Sequence, residues 1–247
     1  MHNDSRLIAI IPARGGSKGL LNKNILECAG KPLIEWTISA AKSVDFIDEV
    51  LVSTDSEEIA AVSRRAGASV PFLRPGEFAT DDASLLQAIR HAWEKHPAAA
   101  DARYDYIVVL QPTSPLRTAA HIVAAIKHYF ENRKSDEDTL ASVCQVNSKF
   151  GWLMQSAEES EYIRFCLDVH AQNPQRQRLK QYYLPNGAIF IVKGTALAGG
   201  LYRKNTLPFV MSVRDSIDID TIDDLADAEK ILSALRHLSE PPLFSGK

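Results

Sequence analysis

The sequence predicts an α/β protein built around a mostly parallel, doubly wound sheet. Short apolar runs at residues 8–11, 49–54, 106–110 and 140–146 read as buried strands, and segments with helical apolar spacing fall between them. Capping residues and glycines stand at the junctions. Right-handed crossovers would gather the polar loops at one end of the strands, where open α/β sheets bind ligands.

Composition bounds the function. The chain has 247 residues and 45% hydrophobic content, enough for one large core and a small lobe. A net charge of −3 argues against nucleic-acid binding, which needs a strongly basic face. No apolar run approaches membrane-spanning length, and residues 1–6 lack the features of a signal peptide, so no membrane partner and a cytoplasmic location are expected. Cys28, Cys144 and Cys166 are odd in number and contain no CxxC pair. They read as buried, reduced thiols and not as a disulfide framework or a zinc site.

The first strand, Ile8-Ala9-Ile10-Ile11, ends at Pro12 and opens into the glycine loop Ala13-Arg14-Gly15-Gly16-Ser17-Lys18-Gly19, with Lys23-Asn24 beyond it. Gly30-Lys31-Pro32 marks a turn before a helix carrying Leu33, Ile34, Thr37, Ile38, Ala41 and Val44 on one face. A second strand, 49–54, leads through a capping box at Asp55-Ser56-Glu57-Glu58 into a helix over 59–66 stopped by Gly67. Residues 70–73 form a third apolar stretch, and Ser84 belongs to a run of N-cap residues before a helix from Leu85 to about residue 94. After the strand 106–110, Gln111-Pro112-Thr113-Ser114-Pro115-Leu116-Arg117 reads as a rigid polar loop before a helix over 119–131.

The strand at 140–146 closes this series, and from 149 to 184 the rhythm breaks. Phe150, Trp152, Leu153, Met154, Tyr162, Tyr182 and Tyr183 are scattered there among charged residues. The pattern reads either as an excursion packed on a second subunit or as a lobe folded against its own core. Strand character returns at 186–192 and at 208–211, and Thr221 caps a last helix running to about residue 238. The expected division is a core of 1–148 and 185–238, a protruding lobe at 149–184 and a frayed tail at 239–247.

Two constellations carry chemistry. The glycine loop matches neither the P-loop nor the dinucleotide pattern. Gly15-Gly16-Ser17-Lys18-Gly19 fits the G-x-S-x-G of a hydrolase elbow, but the loop continues where that motif needs a helix. Glycines admit phosphate oxygens to backbone N–H groups, and Arg14, Lys18 and Lys23 supply positive charge, so a polyanion site is expected, against the alternative of a solvated basic loop. The second constellation is Ser216-Ile217-Asp218-Ile219-Asp220-Thr221. If extended, it points Asp218 and Asp220 one way and Ile217 and Ile219 the other. The two aspartates either hold a divalent cation with phosphate oxygens and water, or begin the last helix, where negative charge is favourable.

Six motifs in order resemble the acylneuraminate cytidylyltransferases, the CMP-sialic acid synthetases, including relatives acting on legionaminic and pseudaminic acids. They are residues 11–19 with Lys23-Asn24, Ser53-Thr54-Asp55, Phe72-Leu73-Arg74-Pro75, residues 110–117, Asn186-Gly187-Ala188-Ile189 and Asp218-Ile219-Asp220-Thr221. The resemblance implies a Rossmann-like nucleotidyltransferase core with a small dimerisation lobe exchanged across a homodimer. It implies transfer of CMP from CTP to an acidic nine-carbon 2-keto sugar, with pyrophosphate released and magnesium (Mg2+) as cofactor.

Carried onto this chain, Arg14, Lys18 and Lys23 would hold the triphosphate, Ala13 and Gly15 would belong to the same nucleotide-binding set, and Asn24, Arg74 and Ser84 would read the cytidine. Gln111, Arg176, Tyr183 and Asn186 are the implied substrate-binding residues. Asp218 and Asp220 would hold the metal and, with Arg14 and Lys18, form the catalytic set. Asp220, acting through a bound water, is the first candidate for general base. Leu20-Leu21 stands where the family commonly has Ile-Pro, and Arg176-Gln177-Arg178-Leu179-Lys180 departs from the family's Arg-Gln-Asp-Leu-Pro. A sugar-1-phosphate nucleotidyltransferase and a non-catalytic nucleotide-binding module are the alternative readings.

Overall fold

A computed structural model describes residues 5–16, 19–96, 104–147, 150, 153–156, 163–166 and 181–239. Strands β1 (Leu7–Pro12), β4 (Glu49–Ser53), β5 (Tyr106–Val109), β6 (Thr139–Gln145), β9 (Tyr183–Lys193) and β10 (Thr206–Met211) form one six-stranded sheet in the order β10-β6-β9-β5-β1-β4. The pairs β1·β4, β1·β5 and β6·β10 are parallel, whereas β9 runs antiparallel to both β5 and β6. Five strands therefore share one direction and β9 alone is reversed.

Helices α1 (Leu33–Lys42), α2 (Glu57–Arg65), α3 (Leu85–Lys95), α4 (Ala119–Asn132) and α5 (Ile222–Ser239) complete the core. Strand β1 shows why the sheet is covered on both faces. Ala9 and Ile11 join the cluster with Ile34, Ile59 and Ile122 from α1, α2 and α4, while Ile8 and Ile10 pack with Ile89 and Ala92 of α3. A strand apolar at successive positions can satisfy its pleat only between two helix layers. Helix α5 packs Leu225, Ala228 and Leu232 beside Leu33, Leu116 and Ile219.

Local chemistry places the boundaries. Ser56, Ser84 and Thr118 cap α2, α3 and α4, and Ser84 with Gln87 forms a reciprocal capping box. Helix α2 thus begins at Glu57, two residues before the expected start. Gly67 adopts φ +87 just past its end, the left-handed conformation that glycine takes without a side-chain clash. The expected turn at Gly30 is the tip of a small hairpin, β2 (Glu27–Cys28) with β3 (Lys31–Pro32), whose two-residue loop holds Ala29 at φ 50 and Gly30 at φ 83. Pro208 is tolerated in β10 because that strand lies at the sheet edge.

Some expectations change. The stretch 70–73 forms no strand, and only Ser69 bridges to Leu51. The polar loop 112–117 is buried throughout, and its Pro112 and Thr113 line the main cavity. Of the three free cysteines only Cys28 is buried; Cys144 is half-buried and Cys166 exposed. In the expected lobe, β7 (Met154–Ser156) and β8 (Ile163–Phe165) pair antiparallel, and Phe150, Leu153 and Met154 are exposed. Most of 149–184 and the tail beyond Ser239 lie outside the described residues. Among the described residues, no helix is long and apolar enough to cross a membrane.

Candidate active site

The ends of β1 and β5 deliver Pro12 and Gln111 to a cavity of about 500 Å³. Arg14, Lys23 and Asn24 from the glycine-loop segment line one part of it, and Arg74 and Ser84 line another. Asp220 closes the ring. These residues are separated by up to nearly the full chain, so the sheet topology alone brings them together.

The two described cations, Arg14 and Lys23, are engaged by acidic groups. Arg14 donates to the Thr80 carbonyl at 3.0 Å and pairs with Asp81 at 2.8 Å. Lys23 Nζ lies 2.8 Å from Asp220 Oδ1. Gly19 approaches the Asp220 backbone so closely that a Cβ there would stand 2.9 Å from its carbonyl oxygen. Glycine at this position is what lets the loop lie against the aspartate segment.

The Gly15 N–H, expected to form part of an open anion nest, instead donates to Asp55 Oδ1 at 3.0 Å. The same oxygen lies 3.9 Å from Arg74 Nη2. Arg74 is only 5% exposed, its Nε has no partner among the described residues, and burial lowers its pKa despite the opposing charge of Asp55. A buried guanidinium with spare donors beside a cavity is equipped to recognise a polar ring edge. The capping box expected at Asp55-Ser56-Glu57-Glu58 resolves into a cap made by Ser56, and Asp55 instead serves Gly15 and Arg74, which are distant from it in the chain. Asn24 is buried and donates to the Arg14 carbonyl at 2.9 Å, which holds the loop's shape. Ser84 stands at the wall, but its hydroxyl serves the α3 cap.

The aspartate segment is extended but belongs to no strand. Ile219 is buried and Ile217 partly so, in the cluster under α5, which leaves Asp218 and Asp220 on the other side as the alternation requires. Backbone anchoring comes from Ile219 N–H to the Thr113 carbonyl at 2.9 Å. Thr221 caps α5 with Asp224 in a reciprocal box, so neither Asp218 nor Asp220 is needed as the cap.

Asp218 Oδ1 is buried without a hydrogen-bond partner among the described residues. Burial pushes its carboxyl above the usual range, and Asp220 and Asp224 push the same way against Thr113 and Lys23. The Thr113 hydroxyl approaches Asp218 without completing hydrogen-bond geometry. An under-satisfied buried carboxylate beside a second one suits a hard cation. Among the described residues no group of three or more acidic, histidine or cysteine side chains that could hold a metal is assembled, so Asp218 and Asp220 are the two carboxylates those residues offer here. Magnesium commonly takes one or two carboxylates and fills its octahedron with water and phosphate oxygens, so the donor set fits.

Other expected residues stand elsewhere. Ala13 is fully buried and donates its N–H to the Ser53 carbonyl at 2.9 Å. Asn186 does not line the cavity: its Oδ1 accepts from Ser142 and Ala188, and its Nδ2 donates to Ser216 at 2.8 Å, two residues before Asp218. It ties β6 and β9 to the aspartate segment. Tyr183 is 46% exposed and also off the cavity wall. Ser17, Lys18 and Arg176 lie outside the described residues.

A mostly parallel sheet sets a cationic glycine loop against an aspartate pair, and the chain belongs to the cytidylyltransferase family, whose profile matches residues 8–159. The N-acylneuraminate cytidylyltransferase of Escherichia coli is 37% identical over 218 residues, which cover 87% of this chain and 49% of that protein, so this chain spans about half the length of that relative. The CMP-N,N'-diacetyllegionaminic acid synthase of Legionella pneumophila is 34% identical over 235 residues, covering 92% and 96% of the two chains. A solved CMP:2-keto-3-deoxy-manno-octonic acid synthetase complexed with CTP shares the fold, with a TM-score of 0.70 at 16% identity over 94% of this chain and 100% of that one.

Proposed function

We propose that this chain condenses CTP with an acidic nine-carbon 2-keto sugar, a sialic acid or related nonulosonate, to give the CMP-sugar and pyrophosphate. The observation that carries the reading is the 2.8 Å contact between Lys23 and Asp220, which puts the triphosphate loop against the aspartate pair in a family of cytidylyltransferases. The names of the relatives support the substrate class.

Arg14 and Lys23 would leave Asp81 and Asp220 to hold the triphosphate and to stabilise the charge that develops on the departing pyrophosphate. Arg74 and Asn24 would orient the cytidine, and the Gln111 amide the acceptor. Asp218 and Asp220 would hold magnesium, which when bound polarises the α-phosphate and lowers the pKa of the attacking hydroxyl. Holding the acceptor hydroxyl near the phosphorus is the remaining contribution, since positioning and charge dominate phosphoryl-type transfer.

We place the reaction in the cytoplasm, where CTP is made, and in a homodimer. The dimer is supported by exposed apolar side chains near the ends of β6, β9 and β10, among them Leu184, Val210 and Val213. A pyrophosphate-release panel tests the function: CTP, magnesium and one nonulosonate at a time should give turnover, and omission of any one should abolish it. Turnover with sugar-1-phosphates in place of nonulosonates would reject the reading. Sedimentation velocity tests the dimer, and a monomer at catalytic concentration would remove it.

A further inference from the structure

Gln111 is gripped from two sides by residues to which no role in the reaction has been given. Its backbone carbonyl accepts from Arg117 Nη1 at 3.2 Å and from the Thr37 hydroxyl at 3.4 Å. Arg117 Nη1 also reaches the Ala188 carbonyl at 3.3 Å, and Nη2 donates to Thr37 Oγ1 at 2.5 Å. One guanidinium thus binds the exit of β5, the middle of β9 and the face of α1. On the other side, Gly187 holds φ +69, and a Cβ there would stand 3.0 Å from Gln111 Nε2. Among the described residues the Gln111 amide makes no hydrogen bond and is left for a ligand.

Arg117 is unusual in its setting. It is 1% exposed, and no carboxylate pairs with it among the described residues. Burial pushes its pKa down to about 9, so it stays charged at neutral pH. A cation buried at this depth is costly, and among the described residues the Arg117 Nε has no hydrogen-bond partner. Stability alone therefore gives weak reason for an arginine here. A planar fork that spans three backbone elements gives a geometric one, because lysine is a point charge and cannot bridge them.

We propose that Arg117, Thr37 and Gly187 are positioning residues for Gln111: they fix its carbonyl and leave room for its amide, and so set the selection of the acceptor sugar. The proposal rests on the reading of Gln111 as the acceptor-binding residue. A displacement of about 1 Å at a substrate-orienting group can cost on the order of a hundredfold in rate.

The test uses the full chain with Arg117→Lys, Thr37→Val, Thr37→Ser and Gly187→Ala. CTP dissociation constants come from calorimetry, acceptor KM from pyrophosphate release, and the Gln111 side-chain amide from nitrogen-15 NMR, assigned through Gln111→Glu. The expected result is an acceptor KM or kcat/KM impaired at least about tenfold in Arg117→Lys, Thr37→Val and Gly187→Ala. The CTP dissociation constant should stay within about twofold, the Gln111 amide signal should move, and Thr37→Ser, which keeps the hydroxyl, should restore the acceptor KM. Unchanged acceptor KM with an unmoved amide signal overturns the proposal. So does a parallel loss of CTP affinity and thermal stability, which would mark a merely structural role. If the wild type turns over no nonulosonate, the functional reading fails, and the NMR arm still decides whether these residues position Gln111.

Discussion

Lys23 Nζ and Asp220 Oδ1 stand 2.8 Å apart although 197 positions separate them in the chain. The Asp220 side chain is 73% exposed, so the pair contributes little to stability and its charges are readily surrendered to a ligand. Under the proposed function, a polyanion would take Lys23 and a cation would take Asp220.

Lys23→Met should weaken CTP binding by about 1.5–3 kcal/mol, the usual worth of a hydrogen bond to a charged group. Calorimetry at fixed magnesium reads this directly. Because the Asp220 carboxylate is exposed and methionine keeps the packing of the Lys23 stem, the melting temperature should move by less than about 4 °C.

Asp218→Asn should abolish pyrophosphate release while raising the melting temperature of the metal-free protein. The wild-type carboxylate is half-buried with a buried, unpartnered Oδ1 among the described residues and its pKa is raised, so at neutral pH the folded state carries the cost of ionising it. Asparagine removes that cost. Activity within a few-fold of wild type would sink the metal assignment.

Asp55→Ala should loosen the nucleotide side of the site. It frees the Gly15 N–H and strips Arg74 of its nearby carboxylate, leaving a buried guanidinium uncompensated. We expect the CTP dissociation constant to rise about tenfold or more, together with a lower melting temperature. Unchanged CTP affinity would show that Gly15 and Arg74 keep their places without it.

Acid stability should depend on Asp138. The backbone N–H of Lys134 at 2.6 Å leads a set that includes Ser135 and Asn205 and holds its carboxyl far below the usual range. A carboxylate with a depressed folded pKa stabilises the fold above its unfolded value and loses that contribution as pH falls through the folded one. Asp138→Asn should therefore cost stability at neutral pH and flatten the decline in melting temperature from about pH 5 to about pH 2. A parallel decline in both proteins would contradict this.

Much of the fold was legible in the residues. The runs at β1, β4, β5 and β6 are apolar on successive positions because both faces are covered, and Ser84 and Thr221 cap where helix propensity begins. The reversal of β9 was not legible, since an apolar run reads the same in either direction and its course is set by pairing with β5 and β6.

By itself the sequence determined the chemistry on offer: a glycine loop with its cations, an alternating aspartate pair and the membership of a nucleotide-handling family. These are local patterns, and local patterns follow from side-chain type and spacing. Only the tertiary structure decided who meets whom. It set Lys23 on Asp220 and Asp55 between Gly15 and Arg74, turned Asn186 from the cavity to the aspartate segment, and buried Arg117 behind Gln111. Apart from the six-residue step between Gln111 and Arg117, these contacts join residues distant in the chain, and their geometry arises from strand order and helix packing, which single-residue preferences do not encode.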